Sequence, residues 1–294
     1  MTQKWTQRHR DYLSTAFFCV SVALLCFCGL GCSVEYAGER LFWKAERIKA
    51  QLPFDQKQAT AEQAAAVVAA YARVVQGVPG TEWAVKAQEA IGLWHLSRGE
   101  YPYARDALAR ICRNYDNFAA HCAMSLVHIG RSYEAEQNWD AAIRSYDELS
   151  LKYPWTPLWY EAPLYPGQTY TRAHDRPRAV AAYQKATAVY RQRLNMARNE
   201  PERVARLERH LLLAYQEMGD WAQAAETLEG MIAHGAAADL PELLLQLGHV
   251  YQQRLNDTAK ADAIYARLIA QFPQHPLALE ALLARQRLTS RTSQ

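Results

Sequence analysis

Residues 247–273 read LGHVYQQRLNDTAKADAIYARLIAQFP. Leu247, Gly248 and Tyr251 fall on one side of a helix, because residues three and four apart are neighbours on a helical surface. Asn256-Asp257-Thr258 is a polar turn. Ala261 and Tyr265, four residues apart, mark one face of a second helix, and Pro273 closes it. A small residue on the first helix and an alanine followed by a ring on the second describe two helices that pack at close range.

The same arrangement recurs upstream. Ile91-Gly92-x2-His95 precedes Ala104-x3-Leu108, and Ile129-Gly130-x2-Tyr133 precedes Ala142-x3-Tyr146 with Pro154 after it. Gly167-x2-Tyr170 precedes Ala179-x3-Tyr183, and Leu211-Leu212-x2-Tyr215 precedes Ala224-x3-Leu228. Positions 92, 130, 167, 212 and 248 are 38, 37, 45 and 36 residues apart. The turns fit as well: Arg98-Gly99-Glu100-Tyr101, Gln137-Asn138-Trp139 and Met218-Gly219-Asp220-Trp221 sit where each first helix ends, and Gly is favoured just past a helix C-terminus. The 45-residue spacing predicts longer helices or an inserted loop around residues 193–203. The fifth copy needs one extra residue in its turn.

The pattern resembles the tetratricopeptide repeat, with its L-G-x2-Y…A-x3-F…P signature. That resemblance implies an all-α fold, a right-handed superhelical solenoid of tetratricopeptide-type helical hairpins. Five repeats occupy residues 85–274. Residues 37–50 and 60–76 read as two more amphipathic helices, a degenerate first hairpin within 37–84. Residues 275–294 read as a capping helix followed by a polar, frayed tail from Thr289, since terminal repeats need a cap over their apolar face.

Composition supports helices: Ala, Leu, Arg, Gln and Glu are plentiful, while Gly (13) and Pro (12) are sparse. The net charge is +3, and residues 1–31 contribute Lys4, Arg8, Arg10 and Asp11, leaving 30 basic and 29 acidic residues. That balance argues against nucleic-acid binding, which calls for a basic excess or stripe.

Residues 1–12 are polar and basic, and residues 15–30 (TAFFCVSVALLCFCGL) are apolar. Sixteen residues is short for a span of about 20, and the layout is that of a secretory signal peptide. Gly29-Leu30-Gly31-Cys32 resembles the lipobox of bacterial lipoproteins, although Gly29 stands where that family prefers leucine. The resemblance implies a leader over residues 1–31, a covalent lipid on Cys32 as the only bound group, and a short tether over 32–36. Ser33 after the cysteine implies the outer membrane, periplasmic face. An uncleaved anchor on a cytosolic repeat domain is the competing reading. In layout the chain resembles the outer-membrane β-barrel assembly lipoproteins, and less closely the repeat lipoproteins of Tol-Pal coordination, pili or polysaccharide export.

No Walker loop, dinucleotide fingerprint, zinc-protease helix or nucleophile elbow is present. The expectation is therefore a binding protein, not an enzyme, whose partners are other cell-envelope proteins. If the repeat resemblance holds, groove-facing positions are Arg131, Glu134, Gln168, Arg172, Arg206, Arg209, His249 and Gln252, with the arginines suited to carboxylates. Trp155, Trp159 and Tyr160, in the aromatic segment 153–170, are candidate anchors for a partner or, alternatively, a sugar-stacking trough for polysaccharide or peptidoglycan. Cys112 and Cys122 fall at neighbouring helix ends, where an oxidising compartment permits a disulfide. His121 and His128 beside them match no zinc spacing, so no metal is expected.

Overall fold

The computed structural model of the chain describes residues 33–234 and 239–292. The leader and Cys32 lie outside the described residues. The chain divides into two units after Glu136. The first holds α1 (residues 33–50), α2 (Ala61–Gly77), α3 (Glu82–Ser97), α4 (Tyr101–Asn114) and α5 (Ala119–Ala135). The second holds α6 (Trp139–Lys152), α7 (Leu158–Glu161), a 3-10 turn (Ala162–Leu164), α8 (Tyr165–Arg172), α9 (Arg176–Met196) and α10 (Pro201–Met218), followed by α11 (Trp221–His234), α12 (Leu240–Gln253), α13 (Thr258–Gln271) and α14 (Pro276–Thr292). Among the described residues there is no strand.

Each unit is built from antiparallel helical hairpins, and close approach between paired helices follows from the small residue on the first. A Cβ placed on Gly92 would lie 2.6 Å from Leu108, and one on Gly167 would lie 2.5 Å from the Tyr183 ring. On Gly248 it would run into Tyr265. The ring or leucine of the second helix thus rests directly on bare backbone. In the fourth hairpin Leu212 replaces glycine, and the facing residue is Leu228 rather than tyrosine; both are buried.

The turn between paired helices is also repeated. Gly99, His174, Gly219 and Asn256 all take positive φ, between 53° and 81°, and Gln137, where the second unit starts, does so as well. The following residue serves both helices. The amides of Glu100, Asp175 and Asp220 donate to the carbonyls of His95, Tyr170 and Tyr215, each at 2.9 Å, the six-to-one bond that ends a helix. Asn138, Asp175, Asp220 and Asp257 accept from the amide three residues on, at 3.0–3.3 Å, and so cap the next helix. Glu100 differs: it turns back onto His95 Nδ1 at 2.6 Å and Arg98 Nε at 2.8 Å. In the fifth hairpin the Asp257 amide reaches one residue further back, to Tyr251, which absorbs the extra residue.

The 45-residue spacing is taken up by long helices, the first of the two alternatives, since α9 ends at Met196 and α10 starts at Pro201. Two boundaries differ from the sequence reading. The first helix already includes residue 33, ahead of the expected 37. The polar end of the chain continues α14 as helix to Thr292 instead of fraying from Thr289.

The close contact predicts a specific stability pattern. Gly248→Ala should lower unfolding free energy by about 1–3 kcal/mol through overpacking. Adding Tyr265→Leu should recover part of that loss, as the Leu212–Leu228 pair does naturally. Urea unfolding followed by far-UV circular dichroism reads both, and a neutral Gly248→Ala would remove the contact from its structural role.

Candidate functional site

The second unit is least regular between α6 and α10. Tyr153-Pro154-Trp155-Thr156-Pro157 cannot continue α6, because proline lacks the amide and clashes with the preceding turn. Tyr153 ends α6 through its amide to Leu149, and buried Thr156 turns back onto the Tyr153 carbonyl through its amide (3.2 Å) and its hydroxyl (2.9 Å). Pro157 then starts α7, and Pro163 and Pro166 break the run that follows, leaving α8 only eight residues long.

A four-residue helix leaves its carbonyls without helical partners. Two side chains from the end of α9 supply them. Tyr190 Oη donates to the Tyr160 carbonyl at 2.6 Å, and Arg193 Nη1 donates to the Trp159 carbonyl at 2.7 Å. The Arg193 guanidinium also stacks on the Trp159 ring, 3.5 Å from its centroid. Burial pulls that guanidinium down to about 10, with nearby Arg203 adding to the fall and Tyr190 opposing it.

From the other side α10 brings two more cations. Arg203 lies 5.5 Å from the Trp159 ring and Arg206 lies 5.8 Å from the Tyr160 ring. Arg203 Nη1 reaches Glu200 at 3.2 Å, while its Nε is buried without a hydrogen-bond partner. Together these groups border an open cavity of about 800 Å³, lined by Pro154, Trp155, Trp159, Tyr160, Glu200, Arg203 and Arg206 among others. Trp155 is 71% exposed on its rim. The cleft offers ring faces and guanidinium donors at once, a combination that suits carboxylate groups on an extended chain.

The predicted anchors therefore converge, although not as a trough. Trp159 and Tyr160 stand at 82° to one another, and Arg193 covers a face of Trp159. The predicted groove positions do not gather at one place. Arg131 is exposed and Glu134 half-buried on α5 in the first unit. Gln168 is half-buried and Arg172 exposed on α8. Only Arg206 borders this cleft. Arg209 pairs with Asp239 at 2.5 Å. Gln252 accepts from the Tyr265 hydroxyl at 2.7 Å, so it joins two helices. His249 rests against Tyr265 and lies 3.9 Å from Glu280, beside a separate cavity of about 430 Å³. Arg193, Arg203 and Glu200 were missed in the sequence; the signal for them was the long spacing around residues 193–203.

Cys112 and Cys122 are neighbours at adjacent helix ends. Cys112 Sγ points to the Cys122 carbonyl at 3.5 Å, and buried Cys122 Sγ points to the Tyr115 carbonyl at 3.6 Å. His121 pairs with Glu89 at 3.0 Å, and burial lowers His128. Among the described residues no three His, Cys, Asp or Glu side chains form a metal-holding group.

Two stretches, residues 124–154 and 242–275, match the tetratricopeptide repeat family. No curated protein matches the chain. Among solved structures, a repeat-containing protein of Cytophaga hutchinsonii is 14% identical over 85% of this chain and 98% of its own, with a TM-score of 0.45. PilF of Pseudomonas aeruginosa is 12% identical over 88% and 99%, with a TM-score of 0.40. PilW, a type IV pilus biogenesis factor, is 14% identical over 84% and 98%, also with a TM-score of 0.40.

Arg193 and Arg203 are expected to differ in kind. Arg193→Ala should destabilise the second unit by about 1.5–3 kcal/mol, because it strips a charged donor from a carbonyl. Arg203→Ala should cost about 1 kcal/mol or less, since its ion pair is solvated. Thermal unfolding compares them, and equal losses would make Arg203 structural.

Proposed function

We propose that the protein is a lipid-anchored scaffold of the bacterial cell envelope, on the periplasmic face of the outer membrane. It acts by binding rather than by catalysis. Its cleft between α7 and α10 holds an extended, carboxylate-bearing segment of another envelope protein. Tetratricopeptide repeats serve as protein-interaction scaffolds, and the hairpins described above belong to that fold. The observation that carries the cleft assignment is Arg203: its Nε is buried and unpartnered beside Trp159, at the edge of a cavity that Trp155 leaves open. A buried donor without an acceptor costs about 1–3 kcal/mol, and a bound carboxylate would supply the acceptor.

The anchor is supported by the order of segments: a basic start, an apolar run, Cys32, and then a helix from residue 33. Two or more acyl chains hold a protein stably on a membrane. The polysaccharide reading is weaker here, because sugar stacking wants coplanar open rings and the Trp159–Tyr160 pair stands edge to face.

Two measurements test this. Cys32→Ser should accumulate as unprocessed, unlipidated precursor; a mature N-terminus identical to wild type by mass spectrometry would discard the lipidation site. An affinity pull-down from membranes, compared between wild type and Arg203→Glu/Arg206→Glu, should lose its main partner, with binding weakened at least about tenfold if each reversal removes a charge-assisted bond of the usual strength. An unchanged set of captured proteins would rule out the cleft as the gripping surface.

A further inference from the structure

The first helix has one face that the fold uses and one that it leaves bare. On the inner side, Phe42 packs 5.7 Å from the Tyr71 ring and 5.5 Å from the Trp83 ring, and Ala45 is buried. Gly38 lies so close to Trp83 that a Cβ there would fall 2.7 Å from the indole. Glu46 takes the Tyr71 hydroxyl. At 3.6 residues per turn, Tyr36, Arg40, Trp43 and Arg47 form a stripe on the opposite side. Tyr36 is 65% exposed and Trp43 is 59% exposed. Lys44 lies on one shoulder of the stripe beside Arg40, and Glu35 and Glu39 lie on the other, so the stripe has a cationic edge.

Large rings turned to solvent beside cations are unusual for a helix that is otherwise well seated. Tyr and Trp are the side chains that favour the level between headgroups and acyl chains, where a ring is half apolar and half wet. Lys and Arg add about 1 kcal/mol each of attraction to an anionic leaflet. The placement along the chain favours a bilayer over a protein partner. α1 is already helical at residue 33, the residue next to Cys32 in the sequence. At 1.5 Å per residue, Trp43 stands only about 16 Å along the helix from that cysteine.

We propose that α1 lies along the membrane surface, with Tyr36 and Trp43 at the headgroup boundary and Arg40, Lys44 and Arg47 against anionic headgroups. This inference rests on the lipid-anchor reading of Cys32. The acylated cysteine brings the first turn to the leaflet, and the stripe then fixes which side of the helix faces it. The protein's attitude on the membrane is then set by α1, in which residues 33–36 of the expected tether are helical.

The test uses the chain purified from membranes and reconstituted into vesicles of phosphatidylethanolamine and phosphatidylglycerol. A parallel batch carries acyl chains brominated near the headgroup, which quench nearby indoles. Flotation reports the anchor, and quenching reports the stripe. The wild-type protein should float and lose emission in brominated vesicles. Trp43→Phe should still float, with loss of the quenched emission, because an interfacial ring lies within reach of the bromines. Arg40→Glu/Arg47→Glu should reduce quenching in the anionic vesicles while leaving flotation intact. Flotation with quenching unchanged in Trp43→Phe overturns the stripe and leaves the anchor standing; that outcome would assign the exposed rings to a protein partner. Failure of the wild type to float overturns both.

Discussion

The fold depends on one contact, the seating of a bulky side chain on helix backbone that lacks a side chain. Tyr183 on Gly167, Tyr265 on Gly248 and Leu108 on Gly92 are the same contact made three times. It fixes how near the paired helices come, because any larger residue on the first helix must push the ring away. Close approach in turn makes a short connection possible. One residue at positive φ ends the first helix, and the next residue caps the second. Glycine is not obligatory at that turn. Gln137, His174 and Asn256 adopt the left-handed conformation as well, at a cost of roughly 1–2 kcal/mol each that the surrounding hydrogen bonds offset. The Leu212–Leu228 pair shows the same constraint from the other direction, since adding bulk on one helix goes with losing a ring on its partner.

Where that contact governs, the protein is regular and chemically quiet. The polar residues at those places tend to be used up in joining helices. Gln252 is held by Tyr265, and Tyr251 donates to Glu229 at 2.5 Å. The cleft forms where the regular scheme is interrupted by Pro157, Pro163 and Pro166. A helix broken into α7, a 3-10 turn and a short α8 exposes carbonyls that regular helices would satisfy internally. The long α9 brings Tyr190 and Arg193 across to them. The repair of an irregular backbone thus places a desolvated guanidinium on an indole ring, and the start of α10 adds two further arginines on the far side.

This division explains what the sequence reveals. The hairpins are legible because their determinants are local and recur: Gly92, Gly167 and Gly248 with their Ala-x3-Leu or Ala-x3-Tyr partners need no knowledge of distant contacts. Trp155, Trp159 and Tyr160 stand out as an aromatic cluster for the same reason. Their arginine partners do not, because Arg193 and Arg203 lie more than thirty residues away and only folding brings them to Trp159. The groove list implied by the repeat resemblance mixed positions of different kinds. It contained Arg206, which borders the cleft, beside Arg209 and Gln252, which are engaged with Asp239 and Tyr265. Periodicity gives the side of a helix on which a residue falls, but it does not give the neighbour found there. The cysteine pair shows the same limit. Adjacent helix ends were predicted correctly, while the direction of each thiol is set by the nearest carbonyl.

A repeat scaffold therefore separates two tasks that a globular domain combines. The repeated contact supplies rigidity, and it does so with glycine, alanine and aromatic residues that carry little information about a partner. The departures from the pattern are where guanidinium groups and rings gather without being used in the repeated contact. In this chain the departures are a proline-broken third hairpin, with its arginines and rings, and a first helix whose outer side carries Tyr36, Arg40, Trp43 and Arg47. Both combine guanidinium groups with aromatic rings, and both lie where the hairpin scheme is broken or begins. The fold accommodates them because each hairpin chiefly contacts its neighbours. An irregular hairpin can change chemistry locally without disturbing the glycine contacts that hold the others together.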